Sequence, residues 1–204
     1  MPRTIIKKTE LCKEIVEKVG LDLSNYNVLT ELGTNQFAFL PILASIANAK
    51  SITAFVRDTK YGTAEMVEDE FKKIVKETGL GHEIKIRKNN LQLTDISIAN
   101  IVTNSRMLRP LNQDFISKMR PFTSVITLMY EAWEMRYADI DINACDKLGI
   151  KVCGVSENTK MLPIFDFCGT MIAKLVFDAG FEIMSNNIVI FSNDSFGKVA
   201  KKTF

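Results

Sequence analysis

The sequence has 204 residues, of which 47% are hydrophobic and 25% are charged, and its formal net charge is +2. This is the composition of an ordinary globular protein, and so small a net charge gives no reason to expect a nucleic acid or an anionic membrane as partner. No apolar run reaches the roughly 20 residues of a membrane span, and the first ten residues lack the apolar block of a secretory signal. We therefore expect a cytoplasmic protein, with a homodimer left open as its assembly.

The cysteine and histidine content predicts no metal site. The four cysteines, Cys12, Cys145, Cys153 and Cys168, form no Cys-x-x-Cys pair, and the sequence contains a single histidine. The cysteines lie in periodic or apolar segments, where a reduced thiol acts as a small core hydrophobe.

Helix and strand patterns alternate along most of the chain. In chain order they predict a helix at 6–19, then a strand at 27–32, a helix at 37–49, a strand at 51–56, a helix at 64–78, a strand at 82–87, a strand at 100–103, a helix at 112–119, a strand at 124–129, a helix at 141–148, a strand at 150–153 and a long helix at about 162–179. Thr63 is suited to cap the helix at 64–78, and Gly79 to end it. This alternation predicts an α/β fold of flavodoxin-like type, a mostly parallel sheet with helices on both faces.

The last part of the sequence predicts the start of another domain. The apolar run at 187–191 is typical of a buried strand, and the polar residues that follow, from Ser192 to Gly197, are typical of a turn that opens a helix. A strand followed by such a turn begins a nucleotide-binding βαβ unit, but seven residues after Gly197 are too few to complete one. We therefore expect a substrate domain at 1–180 and a linker with the first strand of an incomplete Rossmann-type domain at 181–204.

Ligands of an open parallel sheet bind beyond the carboxyl ends of its strands, so polar residues directly after apolar runs are the site candidates. Two such clusters follow the first two strands, at 33–36 and 57–62. Backbone amides of the first could hold an anion at a helix start, and Arg57 of the second could pair with a carboxylate or phosphate. A tight turn for the first cluster and a solvated loop with a helix cap for the second are the alternative explanations, and we favour them over ligand contact.

Two further clusters follow later strands and form our predicted substrate site. After the strand at 100–103 come Asn104, Ser105, Arg106 and Arg109, and guanidinium groups suit bidentate recognition of a carboxylate. After the strand at 124–129 the only tryptophan stands among charged residues, which indicates a site wall or a domain interface. The predicted substrate-binding residues are Asn104, Ser105, Arg106, Arg109, Glu131, Trp133, Glu134 and Arg136, and no catalytic residue is assigned.

The stretch 138–152, with Ile140-Asp141 opening a helix and Gly149-Ile150-Lys151-Val152 forming the next strand, resembles the two-domain D-2-hydroxyacid dehydrogenases, the formate and glycerate dehydrogenase-like group. In that family a long helix then crosses to the nucleotide domain, as the helix at 162–179 would here. The resemblance implies an oxidoreductase that uses NAD or NADP, with this chain as its substrate-binding part. The catalytic Arg, Glu and His of that family match no position of this sequence, so this chain alone is expected to be inactive.

The resemblance places the cofactor-binding fingerprint on Ser192, Asp194 and Gly197. Only the third glycine of Gly-x-Gly-x-x-Gly is retained, and Asp194 would bring a carboxylate near a pyrophosphate.

Two other functions are compatible with the sequence. The run at 28–34 resembles the first motif of S-adenosylmethionine-dependent methyltransferases, which would make S-adenosylmethionine the cofactor, although Arg57-Asp58 displaces the acid expected after the second strand. A non-enzymatic domain that binds a small acidic ligand or a protein is the other alternative.

Overall fold

The computed structural model of the chain describes residues 2–81, 83–156, 159 and 164–204. Contacts between Cα atoms divide it into two compact units, residues 1–154 and 155–204. The division lies well before the domain boundary that we placed at residue 180, which falls just after the first helix of the second unit.

The first unit contains six strands. These are β1 (Asn27–Glu31), β2 (Ser51–Val56), β3 (Lys85–Lys88), β4 (Ile101–Asn104), β5 (Val125–Glu131) and β6 (Lys151–Val155), whose last residue falls at the division between the units. Its helices are α1 (Pro2–Val19), α2 (Phe39–Ile46), α3 (Ala64–Thr78), α4 (Leu93–Ser97), α5 (Gln113–Ile116) and α6 (Ile142–Lys147). Short 3-10 helices occupy Asn35–Ala38 and Ala132–Glu134.

The strands form one sheet in the order β3-β2-β1-β4-β5-β6, and the pairs β1–β2, β1–β4, β2–β3 and β4–β5 are parallel. The predicted α/β class is confirmed. The order is that of the doubly wound Rossmann arrangement, 3-2-1-4-5-6, whereas a flavodoxin-like sheet has the order 2-1-3-4-5. From β1 the strand order proceeds toward one edge of the sheet (β2, β3), and from β4 it proceeds toward the other edge (β5, β6). A fold of this type binds ligands in the crevice beyond the carboxyl ends of the two strands at this switch point, β1 and β4.

Side chains of the strands alternate between the two faces of the sheet and build two separate apolar cores. Val28 of β1 and Ile52 of β2 belong to a core with helices α1, α2 and α3. Leu29 of β1 and Phe55 of β2 point to the opposite face and belong to a core with α4, α5 and α6. This period of two is the reason for helices on both faces, because each strand exposes apolar side chains on both sides.

Most predicted elements of the first unit exist with shifted ends, and α3 has the predicted bounds. The helix at 112–119 is shorter than predicted, and α4 is a helix that we did not predict. The strand at 82–87 begins on residue 82, which lies outside the described residues, and β3 runs over Lys85–Lys88.

The described residues of the second unit form two helices, α7 (Ile164–Asp178) and α8 (Ser195–Thr203). The start of the long predicted helix, at 162–163, lies outside the described residues. Gly169 lets the two helices approach closely, because a Cβ atom there would clash with Oγ1 of Thr203. The rings of Phe165 and Phe196 meet edge to face at 5.4 Å between centroids.

The predicted buried strand at 187–191 is wrong. These residues have no strand conformation, and Phe191 is 94% exposed. An isolated apolar run gains little from an extended form unless a neighbouring strand pairs its backbone groups, and the described residues of this unit provide no such strand. The helix predicted after it is present as α8.

Candidate functional site

The carboxyl ends of β1 and β4 are joined by a buried carboxylate. Glu31, the last residue of β1, is 2% exposed. Its Oε1 accepts a hydrogen bond from the backbone N–H of Ser105 at 2.9 Å, and its Oε2 accepts from the backbone N–H groups of Arg106 and Met107. A buried charge is tolerated when hydrogen bonds satisfy it, so Glu31 fixes the loop after β4 against the end of β1.

Beside this junction lies a cleft of about 200 Å³, called the first cleft, at the ends of β1, β2 and β4. It is lined by Glu31, Leu32, Gly33, Thr34, Phe37, Arg57, Thr59, Tyr61, Gly62, Val67, Ser105, Arg106 and Met107. The guanidinium carbon of Arg106 lies 5.2 Å from the centroid of the Tyr61 ring, and Nη2 of Arg57 donates to the carbonyl oxygen of Arg109 at 3.5 Å. Within the described part of the chain, neither Arg57 nor Arg106 forms an ion pair.

A second cleft, of about 400 Å³, adjoins the first and shares Phe37, Ser105 and Arg106 with it. Its other lining residues are Arg109, Met129, Tyr130 and Arg136.

The ring of Tyr130 lines the second cleft and lies close to two of its arginines. The guanidinium carbons of Arg109 and Arg136 lie 5.3 and 4.5 Å from its centroid, within the range of a cation–π interaction. Arg109 also pairs with Asp139 at 3.0 Å, and Arg136 pairs with Glu134 at 2.5 Å. Burial and the nearby Asp139 carboxylate raise the pKa of Tyr130, so its hydroxyl stays protonated at neutral pH.

Three buried polar atoms around these clefts lack a hydrogen-bond partner among the described residues. They are Nδ2 of Asn104, Oγ of Ser105 and the hydroxyl oxygen of Tyr130, and each residue is less than 10% exposed. The other groups of Asn104 are engaged, since its Oδ1 accepts from Nε of Arg109 at 2.6 Å. All three atoms are able to donate a hydrogen bond, and a buried donor without a partner costs free energy.

The structure brings part of the predicted substrate site together. Ser105, Arg106, Arg109 and Arg136 line the second cleft, and Asn104 packs beside them through Arg109. The site role of these residues stays a prediction.

The other predicted substrate residues lie apart from the two clefts. Trp133 is 75% exposed in the 3-10 helix after β5, and it lines neither cleft. Glu131 is buried at the end of β5, and Glu134 pairs with Arg136. The density of charge around Trp133 predicted a site wall or a domain interface, and the chain turns after Glu131 and directs the indole to the surface. The site role of Glu131, Trp133 and Glu134 stays a prediction.

The predicted cofactor residues of the second unit form hydrogen bonds with one another at the start of α8. Oδ1 of Asp194 accepts from the backbone N–H groups of Phe196 and Gly197 and so caps α8. Ser192 Oγ donates to Asp194 Oδ1 at 2.6 Å, which is the main reason that the pKa of Asp194 is lowered. The ionised carboxylate thus occupies the place at a helix N-terminus that a phosphate would take. The cofactor role of Ser192, Asp194 and Gly197 stays an untested prediction, and this geometry counts against it.

The switch-point crevice of the first unit also differs from a dinucleotide site. Gly33 is the only glycine in the turn after β1, and Phe37 packs over it, since a Cβ atom on Gly33 would lie 2.9 Å from Cβ of Phe37. A dinucleotide fingerprint uses several glycines so that the pyrophosphate can approach the backbone. The amides of residues 105–107 already bind Glu31. The residues present here do not fit NAD or NADP.

Asp58 is the acid closest to the position that would bind the ribose of S-adenosylmethionine. Its Oδ1 accepts from the backbone N–H of Ala64 at 2.7 Å, and its Oδ2 accepts from Asn89 at 3.3 Å. The carboxylate is therefore used to shape the loop between β2 and α3, and the methyl-donor alternative gains no support.

Cys12 and Cys145 are buried, as predicted for core hydrophobes, and burial raises the pKa of Cys145 to about 11. Cys153, by contrast, is exposed. Across the described ranges, no group of three or more potential ligands is placed to hold a metal ion. None of the helices described for this chain has the length and apolar character needed to cross a bilayer.

Sequence reasoning missed Glu31 and Phe37. Glu31 stands in the run Val28-Leu29-Thr30-Glu31-Leu32, and an acid inside an apolar strand pattern is the signal that would have identified it. Phe37 resembles any other apolar residue at a helix start, and only the close approach to Gly33 distinguishes it.

No family model and no curated protein matches this sequence. Among solved structures, shikimate 5-dehydrogenase from Listeria monocytogenes, in complex with shikimate and NAD, is 13% identical, with a TM-score of 0.48 over 74% of this chain and 50% of that chain. A short chain alcohol dehydrogenase from E. coli, complexed with NADH, is 12% identical, with a TM-score of 0.47 over 84% and 46%. TarJ from S. aureus, in complex with NADPH, is 11% identical, with a TM-score of 0.44 over 85% and 48%.

This chain therefore spans about half the length of these three structures. All three are described with NAD, NADH or NADPH, and none is described as a D-2-hydroxyacid dehydrogenase. At these identities and TM-scores the likeness supports no transfer of activity or ligand to this chain.

Proposed function

We propose that the carboxyl edge of the sheet binds a small carboxylate-bearing metabolite, and that the chain acts as the substrate-binding part of a dehydrogenase-like protein. The observation that carries the proposal is the position of Arg106, which lines both clefts without an ion-pair partner in the described part of the chain. A guanidinium presents a planar fork of donors that matches a carboxylate.

The neighbours of Arg106 support an anion more than a cation. Ser105 supplies a buried hydroxyl that has no hydrogen-bond partner among the described residues, and Arg109 and Arg136 add positive charge to the second cleft. Glu31 is the one carboxylate among the described lining residues of both clefts, and three backbone N–H groups offset its charge. The cofactor part of a dehydrogenase reaction is not assigned to residues of this chain.

A ligand-binding domain without chemistry is the second candidate, and one observation favours it. The described lining residues of the two clefts include no histidine, lysine or aspartate. Tyr130 has a raised pKa, and Glu31 is held by backbone amides. A histidine, the commonest group for proton transfer near neutral pH, is therefore absent from the described lining of the clefts, and turnover of a bound carboxylate would argue against this second candidate.

Calorimetric titration of the full chain with acetate, pyruvate and malonate tests the carboxylate site, with the corresponding amides as neutral ligands. We expect Arg106→Gln to weaken carboxylate binding at least about tenfold, because a charge-assisted hydrogen bond contributes roughly 1.5–3 kcal/mol. Arg120→Gln, which removes an exposed arginine outside both clefts, is the matched control.

Trp133→Ala should bind like the natural chain, since the indole lines neither cleft. Equal affinity for carboxylates and amides, or normal binding by Arg106→Gln, would contradict the proposed function.

A further inference from the structure

We propose that the first cleft is specific for a carboxylate carried on a flat apolar ring, an aryl carboxylate, and that Arg57 is a second anion anchor opposite the loop after β4. This inference rests on the proposed function and deepens it, because it names the ligand class and the cleft that receives it. Arg57 lies outside the predicted substrate site.

The walls of the first cleft are mainly apolar and partly aromatic. Leu32, Phe37, Val67 and Met107 line it together with the ring of Tyr61. Phe37 packs closely against Gly33, where an added Cβ atom would lie 2.9 Å from Cβ of Phe37. A flat ring buries apolar surface against such walls, whereas a small polar acid such as acetate leaves them in contact with water.

Unneutralised positive charge is concentrated in this cleft. Arg57 and Arg106 form no ion pair with a described residue, and Nζ of Lys60 lies 5.1 Å from the centroid of the Tyr61 ring, which lines the cleft. In the second cleft, by contrast, Arg109 is paired with Asp139, and Arg136 is paired with Glu134. An anion in the first cleft therefore meets two guanidinium groups without displacing a carboxylate from either, and the Glu31 carboxylate that also lines this cleft is already bound by three backbone N–H groups.

The hydroxyl of Ser105 gives the carboxylate a third donor. Ser105 is 7% exposed, lines the first cleft, and has an Oγ without a hydrogen-bond partner among the described residues. The backbone N–H of Ser105 donates a hydrogen bond to Oε1 of Glu31 at 2.9 Å. This bond holds the main chain of Ser105 in place at the cleft before a ligand arrives. A preorganised donor loses little entropy on binding.

The size of the cleft limits the ligand. A volume of about 200 Å³ is below the roughly 300–1,000 Å³ of sites for drug-sized molecules. A single substituted ring with one carboxylate is compatible with this volume, whereas a dinucleotide is far too large.

The test is an NMR titration of the full chain with benzoate, acetate and benzamide, following the amide signals of Gly33, Thr34 and Arg106. We expect benzoate to bind at least tenfold more tightly than either acetate or benzamide, with the largest shifts at these three amides. Arg57→Gln and Arg106→Gln should each weaken benzoate binding at least fivefold, while Arg120→Gln leaves it unchanged.

The outcomes separate this inference from the proposed function. If acetate binds as tightly as benzoate, and both depend on Arg106, the ring specificity is wrong while the carboxylate site stands. If Arg106→Gln weakens benzoate binding and Arg57→Gln does not, Arg57 is not an anchor. If benzamide binds as tightly as benzoate, or no ligand shifts these amides, both proposals fail.

Discussion

Glu31 shows how one side chain connects the sheet to the candidate site. A buried carboxylate is unfavourable unless several donors surround it, and three consecutive backbone N–H groups of the loop after β4 supply them. These donors precede Arg109 in the same loop and include the amides of Ser105 and Arg106. The position of the side chains that line both clefts therefore depends on an acid at the end of a neighbouring strand.

We expect Glu31→Gln to destabilise the first unit by about 2–4 kcal/mol, because the change removes charge-assisted hydrogen bonds in a buried position. The NH2 group of the glutamine would also face backbone N–H groups that now donate to a carboxylate oxygen, and two donors cannot form a hydrogen bond with each other. Urea unfolding followed by circular dichroism measures the change. Glu17→Gln, at an exposed position of α1, is the control and should change the free energy of unfolding by less than about 0.5 kcal/mol. A loss for Glu31→Gln no greater than that of this control would contradict the assigned role.

At the scale of elements, Asp95 holds the connection between β3 and α4. It is 2% exposed, its Oδ1 accepts from Nζ of Lys85 at 2.9 Å, and its Oδ2 accepts from Nε of Arg87 at 2.8 Å. It also accepts from the backbone N–H of Gln92 and completes a capping box at the start of α4. Burial alone would raise the pKa of Asp95, but the hydrogen bonds from Arg87, Lys85 and Gln92 outweigh it and hold the pKa below its usual value.

The lowered pKa of Asp95 gives a pH-dependent prediction. Because the carboxyl binds its proton less readily in the folded chain than in the unfolded chain, its contribution is complete above the unfolded pKa of about 4 and is lost as the pH falls through the lower folded pKa. We expect Asp95→Asn to lower the free energy of unfolding by about 2–4 kcal/mol between pH 5 and pH 8, and by less below about pH 4.

Chemical unfolding across this pH range checks the prediction, with Asp69→Asn on the exposed side of α3 as control. A difference between the natural chain and Asp95→Asn that stays constant down to about pH 2.5 would contradict it.

The elements that were predicted well carry their own local signals. Helix α3 has Thr63 at its start, whose side chain accepts from the N–H of Met66, and Gly79 at its end in the left-handed conformation with φ of 69°. Residues 187–191 carry an equally clear apolar signal, yet they form no strand. A helix satisfies its backbone internally, whereas a strand depends on a neighbour that local sequence does not specify.

At the scale of the whole molecule, the first unit contains the sheet and both apolar cores. The residues of the two cores all lie between positions 5 and 152. We therefore expect a chain of residues 1–156 to fold by itself and to unfold cooperatively, because a compact unit with its own core meets the requirement for a domain.

Circular dichroism and amide hydrogen exchange measure this outcome, with the full chain as reference. Protection from exchange should be greatest in β1 and β2, in which every residue after the first is buried. Gradual unfolding with little protection in these strands would show that the unit does not fold alone.

The sequence by itself determined the α/β class, the six regions that form strands, and the arginines that follow β2 and β4, because these depend on periodicity and on local turn chemistry. Only the tertiary structure decided the strand order, which places the loops after β1, β2 and β4 around one crevice. It also decided that Glu31 is buried among backbone donors, that Trp133 lies at the surface, and that residues 187–191 form no strand. Each of these depends on which distant segments become neighbours, and the pattern along a single segment does not encode its neighbours.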